Sequence, residues 1–426
     1  MAKVSLTNTY KTYPEYKDSG VDWVGQIPQE WETTKIKNAI RKQFSGIWGE
    51  DSLMDNNDIQ CLRVADFNFD KLTYKPVETI RNIQPNDLLK KELPLNSILL
   101  EQSGGGEKQA VGRVIVYDSR EKMVCANFID VLEVNKSYSP CYFAYFLKAT
   151  YQSGLNKKAI KQNTGIQNLD TKAYFQEAFV SPPKAEQEKI AAFLDVQTAR
   201  IDASIAKKKR LIELLKEKRT ATINQAVTKG LDPKAELTES GIDWIGKIPK
   251  GWAVKKIKYI GYFKSGESIT SEMISPEGEY PVYGGNGLRG HYNKFTHNGT
   301  HILIGRQGAL CGNINYAKEK FWASEHAVVV TLITDVDLYW FGELLNSMNL
   351  GQYSVSAAQP GLAVEKIKNF SVPVPSKTIQ LEISATLKKL YDETESIISK
   401  TETSVELLKE LKSSLISHAV TGKIKV

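Results

Sequence analysis

Cysteine is scarce: four in 426 residues (Cys61, Cys125, Cys141 and Cys311), far apart and without a CxxC pair. That spacing argues against a disulfide scaffold or a zinc ribbon and fits a reducing compartment. No run approaches the ~18 consecutive apolar residues that a membrane-spanning helix requires. The opening stretch MAKVSLTNTYKTYPEYKDSG holds no apolar core for a secretion signal. A cytoplasmic protein with no membrane attachment is expected. Catalytic signatures are missing too. The glycine run SGGGEKQ at residues 103–109 lacks the GK[ST] of a phosphate-binding loop. The SPPK at Ser181 lacks both the asparagine and the aromatic residue of an amino-methyltransferase motif. His297 and His301 have HxxxH spacing and His291 lies near, but only Cys311 is close enough in sequence to add a ligand, short of a four-ligand zinc site. With no Ser-His-Asp set and no paired-carboxylate motif either, the chain is expected to be non-catalytic and to hold no metal.

Glycine and proline are absent from two long stretches, 184–229 and 376–421, each 46 residues. Pro183 and Pro375 precede them, Gly230 and Gly422 follow, and this punctuation predicts two long helices. Apolar residues recur at 3-and-4 spacing, the period of a coiled-coil seam. In the first stretch they are Ile190, Leu194, Ile201, Ile205, Ile212, Leu215, Ile223 and Ala226. In the second they are Ile383, Leu387, Leu390, Ile397, Val405, Leu408, Leu415 and Ala419, with polar breaks at Thr394, Thr401 and Lys412 that are candidates to face a partner. The first stretch carries 11 basic and 6 acidic residues, the second 6 and 7, so the two are expected to pair with each other. An antiparallel arrangement would bring Lys207, Lys208, Lys209 and Arg210 toward Asp392, Glu393 and Glu395.

The two stretches are copies. IELLKEKRTATINQAVT from Ile212 matches VELLKELKSSLISHAVT from Val405, an offset of 193. A second duplicated string lies upstream of each: SGVDWVGQIPQEW at 19–31 and SGIDWIGKIPKGW at 240–252, offset by 221, with eight of 13 positions identical. Its Asp22, Trp23, Pro28 and Trp31, with Asp243, Trp244, Pro249 and Trp252, are expected to be packing anchors that seat the following domain on the helical frame. Between the shared strings lie two divergent segments, 32–181 and 253–374, rich in short β runs (SILLEQ, GRVIVYD, FIDVLEV, THILIG, HAVVVTLIT) and glycine turns, with short helices expected at 142–155 and 338–350. Each reads as an α+β domain.

A net charge of +7 leans toward a polyanionic partner. In the first divergent segment, KKAIKQNTGIQN sets Lys157, Lys158 and Lys161 beside Gln162, Asn163, Thr164, Gln167 and Asn168. Lysines hold phosphates, whereas Gln and Asn form paired hydrogen bonds to adenine edges. In the second, YGGNGLRGHY, GRQGALCG and SVSAAQPG set Tyr283, Asn286, Arg289, Arg306, Gln307, Ser356 and Gln359 on or beside glycine-flanked loops, and arginine suits guanine. Glycines that merely make turns, with polar side chains facing water, are the competing reading.

Two SGxDWxGxIPxxW strings, each opening a divergent domain that ends in a proline-started helix, make the chain resemble the specificity subunit of type I restriction-modification systems over essentially its whole length. LLEQSGGGEKQAVGRV, YGGNG, ILIGRQGALCG and QPGL are also similar to that family's target recognition domains, which adds Ser103, Lys108, Gln109 and Arg113 to the candidate DNA contacts. The resemblance implies an α+β protein with pseudo-twofold duplication: two target recognition domains and two long antiparallel helices forming a coiled coil. The segments would be an N-terminal piece (1–19), recognition domain 1 (20–181), a central helix (182–230), recognition domain 2 (231–374) and a C-terminal helix (375–426). Each recognition domain would read one half of a bipartite, asymmetric target in double-stranded DNA, and the helices would set the gap between the halves. Two methyltransferase subunits and the restriction/translocase subunits would dock. S-adenosylmethionine, ATP and Mg2+ would belong to those partners, with no cofactor on this chain. The rival reading is a coiled-coil adaptor that binds proteins and no DNA.

Overall fold

The structure, a computed structural model, describes residues 10–106, 109–163, 165–308, 310–354 and 361–426. The chain divides into two compact units, Met1–Lys208 with Glu402–Val426, and Lys209–Thr401. Each long helix contributes to both.

The first unit is built on a four-stranded antiparallel sheet in the order Val114–Tyr117, Ser97–Glu101, Ile129–Val134, Ile40–Ser45. The first three are runs that read as strands in the sequence, whereas Ile40–Ser45 is an addition, and Ser97–Glu101 is buried throughout. The helix Pro140–Ser153 packs on the sheet. Ser139 caps its start, Pro140 takes the first turn, where no amide partner is needed, and Gly154 ends it in the left-handed region (φ 78°). A second sheet pairs Asp58–Leu62 in parallel with Met123–Cys125 and antiparallel with Ile80–Asn82.

The second unit repeats this plan. Its sheet runs Ile314–Ala317, His301–Gly305, Ala327–Leu332, Gly261–Ser265, again antiparallel. Its helix is Leu338–Ser347, capped by Asp337, whose carboxylate accepts from the Trp340 amide at 2.8 Å. Its other sheet pairs Tyr280–Gly284 in parallel with Lys320–Ala323 and antiparallel with Gly287–Tyr292. The divergent segments therefore share one fold, although little sequence identity joins them.

The long helices span Lys184–Lys229 and Lys377–Val420, the extents that the glycine and proline punctuation predicts. Within the first unit Ile190 and Leu194 join a core with Ala419 and Leu415, and Asp202 meets Lys412 at 2.7 Å. Within the second, Ala226 and Ile223 join a core with Ile383 and Leu387, and Arg219 meets Glu395 at 2.9 Å. Both sets run antiparallel. The two ion pairs are duplicates: Glu395 stands 193 residues after Asp202, and Lys412 stands 193 after Arg219.

Three expectations about this pairing change. The second helix turns Ile398 inward (2% exposed) and Ile397 outward (45%), so the seam steps by four and then three between Thr394 and Thr401. Thr394, Thr401 and Lys412 are buried, not partner-facing. Each threonine hydroxyl donates to a carbonyl one turn back on its own helix, Leu390 and Ile397, and so costs the seam no unmet donor. The basic cluster does not meet the acidic one as expected: Arg210 is held by Glu213 and Glu217 on its own helix, and Glu395 is taken by Arg219. Neighbours three residues apart on one helix need no cross-helix alignment to pair.

The duplicated string forms a socket for a helix end. In the first copy Pro28 and Trp31 close over Gly422, where an added Cβ would stand 2.3 Å from Pro28 Cδ. In the second, Pro249 and Trp252 face Gly230, with Trp252 3.3 Å from the position of such a Cβ. Both glycines have left-handed backbone (φ 72° and 77°), so helix termination and close approach demand the same residue. Trp31 is fully buried, and its indole donates to Glu186 at 3.1 Å. Trp23 packs on Phe146. The anchoring role fails at three positions: Asp22 and Asp243 are solvent-exposed, and Trp244 is 37% exposed.

One buried glutamine in each unit ties the α+β fold to its long helix. Gln187 donates to the Pro182 carbonyl at 2.8 Å and accepts from the Ser139 amide at 2.9 Å. Gln380 donates to the Pro375 carbonyl at 2.8 Å and accepts from the Asp337 amide at 2.7 Å. Both are buried, and one carboxamide satisfies a donor and an acceptor that would otherwise be orphaned.

Candidate nucleic-acid interface

In each unit a short loop leaves the end of a central sheet strand in the same way. In the first, the Gln102 amide donates to the Phe128 carbonyl (2.9 Å), and the Leu169 amide donates to the Gln102 carbonyl (2.8 Å). In the second, the Arg306 amide donates to His326 (2.8 Å), and the Leu362 amide donates to Arg306 (2.9 Å). Glu101-Gln102-Ser103-Gly104 and Gly305-Arg306-Gln307-Gly308 are thus structural equivalents. In the second unit the loop packs backbone to backbone on the Gly284–Gly287 turn. A Cβ on Gly305 would lie 2.0 Å from the Gly285 carbonyl oxygen, which leaves no room for a side chain.

In the first unit Ser103–Gly104 pairs with Ile166–Leu169, itself paired with Ile160–Asn163, and this small sheet carries Ser103, Lys161, Gln162, Asn163 and Gln167 of the expected contacts. Ser103 donates to Asn168 at 2.6 Å. Lys157 and Lys158 stand exposed on the short helix Leu155–Ala159. Lys161 is exposed and ion-paired with Asp170 at 2.6 Å, an interaction that holds the Asp170 carboxyl below its usual pKa. Gln109, Lys157, Gln162 and Gln167 come together around an open cleft of about 610 Å³. Not all of them are free to read bases. Gln167 is buried and its carbonyl accepts from the Val111 amide at 3.3 Å. Arg113 forms a two-pronged pair with buried Glu101 (2.8 and 2.9 Å), which raises the guanidinium pKa, and its face is covered by the Gln109 amide oxygen at 2.7 Å. These residues brace the loop. Lys108 and Thr164 lie outside the described residues, and only the backbone of Asn163 is described.

In the second unit Asn286 and Arg289 are exposed, Asn286 accepting from Asn313 at 3.3 Å. Arg306 and Gln307 are exposed as well, with Arg306 donating to Ser265 at 3.2 Å and Gln307 bridged to Gly361. Tyr283 packs edge-on against Phe321, a core contact. Ser356 and Gln359 lie outside the described residues. His297 stacks on Phe321, and burial followed by the neighbouring His301 lowers its pKa. Among the described residues no three His, Cys, Asp or Glu side chains gather in a metal-ligating group, and no helix is long and apolar enough to cross a membrane.

The sequence model of the family described as type I restriction modification DNA specificity domain matches residues 28–214 and 249–407. The chain belongs to that family. Specificity subunits are non-catalytic components of type I restriction-modification systems, and the family carries no cofactor itself. Over 147 residues, 34% of this chain and 37% of the relative, it is 43% identical to the EcoprrI specificity subunit of Escherichia coli. Over 424 residues, 95% of this chain and 96% of the relative, it is 24% identical to the putative MjaX specificity subunit of Methanocaldococcus jannaschii. Among solved structures it is similar to a chain from a study of complex assembly and conformational transition of the type I R-M system (12% identity, 92% of this chain and 98% of that one, TM-score 0.71). It is also similar to the HsdS subunit from Thermoanaerobacter tengcongensis (12% identity, 93% and 98%, TM-score 0.56). Both likenesses concern the fold.

One residue of this specificity subunit escaped the sequence reading. Gln102 occupies the place of Arg306, and aligning LLEQSGG with LIGRQGA would have singled it out.

Proposed function

We propose that this specificity subunit reads a bipartite, asymmetric DNA sequence, one half through each recognition fold. Segments 20–181 and 231–374 act as the reading domains and 182–230 and 375–426 as spacers, with 1–19 preceding the first. The observation that carries this reading is the equivalence of the Gln102–Ser103 and Arg306–Gln307 loops. The same backbone frame presents different hydrogen-bonding side chains in the two units, as a duplicated reader of two different half-sites requires. Lys157, Lys158 and Arg289 supply cations for phosphates, while Gln162, Asn286, Arg306 and Gln307 present base-reading groups; Ser103, Gln109, Arg113 and Gln167 support the loop. The helices set the gap between half-sites and dock two methyltransferase subunits and the restriction/translocase subunits, to which S-adenosylmethionine, ATP and Mg2+ belong.

Mapping methylated adenines in host DNA, with and without exchange of residues 253–374 for another recognition domain, tests this directly. One half of the methylated sequence should change and the other stay. Arg306→Ala should relax the exchanged half-site alone, and Gln102→Ala the other, each by about 1–3 kcal/mol of discrimination. Absence of sequence-dependent DNA binding by the chain, alone and with its methyltransferase partner, would instead favour the protein adaptor. Four residues added to each helix lengthen it by ~6 Å and should widen the gap by about two base pairs.

A further inference from the structure

Beside the reading loop of the first unit lies an open slot of about 440 Å³, lined by Trp48, Arg63, Val64, Ala126 and Phe128 among others and largely apolar. Two large aromatic side chains are left in solvent there, Phe128 at 55% and Trp48 at 38% exposure. Their placement is fixed. A Cβ on Gly46 would lie 2.2 Å from the Cys125 carbonyl oxygen, and one on Gly49 would lie 2.5 Å from that of Asn82, so the segment carrying Trp48 is clamped at both ends. The Arg81 guanidinium sits 4.6 Å from the centre of the Trp48 ring and donates to the Trp48 carbonyl at 3.0 Å. Phe128 is continuous with the reading loop, its carbonyl accepting from the amides of Gln102 (2.9 Å) and Ser103 (3.3 Å).

The second unit fills the same place differently. The amides of Gly46 and Gly266 donate to Ile129 and Ala327, which makes His326 the counterpart of Phe128 and Ser268 that of Trp48. His326 lies against Glu325 at 3.4 Å, and Arg306 projects nearby to Ser265. One frame thus carries an aromatic, apolar surface in the first unit and a polar, charged one in the second. The apolar feature that distinguishes bases in the major groove is the thymine 5-methyl group.

We propose that the Trp48–Phe128 slot is part of the first unit's reading surface and takes thymine 5-methyl groups of its half-site. This rests on the DNA-reading function proposed above. The probe is the mapped target duplex with deoxyuridine in place of thymine in one half-site at a time, bound by the full chain assembled with its methyltransferase partner. The half-site of the first unit is the one that changes when residues 32–181 are exchanged. Removing its methyl groups should weaken binding about 4-fold per contact, and removing those of the other half-site by less than about 2-fold. In Phe128→Ala and Trp48→Ala the difference between thymine and deoxyuridine should vanish, whereas His326→Ala should leave it intact. Equal loss in both half-sites, or none in the first while natural DNA is still bound sequence-specifically, overturns the proposal. Loss of methyltransferase association in the variants, with the deoxyuridine effect unchanged, overturns it in favour of a protein contact. Loss of all sequence preference on natural DNA would strike the broader reading instead.

Discussion

The two copies of the duplicated string differ far more in burial than in sequence. Trp31 is fully buried, whereas Trp252 is only partly buried against its core. The difference arises around the string. In the first copy Tyr13 packs on Trp31 (5.7 Å) and donates to Glu186, while Tyr10 packs edge-on against Phe193 (5.6 Å). At the corresponding positions of the second copy stand Lys234, Ile379, Leu231 and Thr386, which cannot build that aromatic lid. The duplicated ion pairs diverge in the same way. Lys412 is buried because the Asp70 carbonyl, on a loop of the first recognition fold, accepts from it at 3.0 Å in addition to Asp202. Arg219, its counterpart, lines an open cleft of about 810 Å³ and lies over the Tyr391 ring. A repeated motif thus carries its geometry with it, but its energetic weight depends on what neighbouring, non-repeated residues cover.

The sharpest way to break this comparison is at the tryptophans. Trp31→Ala should destabilise the first unit by about 3–5 kcal/mol, through the cavity it leaves and the partner it takes from Glu186. Trp252→Ala should cost the second unit about 1–2 kcal/mol, because less surface is removed from water. Denaturant unfolding followed by hydrogen exchange in each unit separates the two, and equal losses would mean the lid is irrelevant. Next come the ion pairs. Lys412→Ala leaves the Asp202 carboxylate, a quarter exposed, without its partner, and an expected loss of about 1–3 kcal/mol allows for that solvent access. Arg219→Ala should cost below about 1 kcal/mol, since Glu395 is half exposed.

A smaller effect concerns pH. Lys148 is buried, donates to the carbonyls of Phe69 and Asp70 at 2.8 Å, and has its pKa pushed down to about 7, first by burial and then by Lys412. Above that value the folded unit has shed a proton that the unfolded chain keeps until about pH 10. Stability of the first unit should therefore rise with pH between roughly 7 and 10. Lys148→Met should flatten that rise, and an unchanged slope would show that the ammonium is not held in low dielectric. Smallest of all, Asp22→Ala and Asp243→Ala should each change stability by no more than about 0.5 kcal/mol, as befits exposed positions without packing.

Much of this architecture was legible before any coordinates. Helix extents followed from proline and glycine alone, and the strands Ser97–Glu101, Ile129–Val134 and Ala327–Leu332 coincide with their β-branched runs. The seam was read correctly except at Ile397, because ESIISK offers adjacent isoleucines and only cross-helix packing chooses between them. Of the residues expected to be anchors, Pro28, Trp31, Pro249 and Trp252 lie against the helix-ending glycines while Asp22, Asp243 and Trp244 are exposed, since identity between copies does not distinguish a residue that packs from one that shapes a turn. The candidate site was legible as a set of loops, not as roles. Nothing in the sequence marks Arg113 as the partner of a buried glutamate, because that fact depends on which groups meet in the folded loop; the equivalence of Gln102 and Arg306 is carried only by the weak match of LLEQSGG to LIGRQGA.

By itself, the sequence determined the duplication, the two long helices and the membership of two divergent folds in one frame, because periodicity, punctuation and repeated strings are local properties. Only the tertiary structure decided that the divergent segments share one topology, that the seam polar residues face inward and that an aromatic slot in one unit corresponds to a charged one in the other. Those outcomes depend on which backbone amides and carbonyls meet across the chain, and such meetings tolerate almost any side chain that leaves the frame intact.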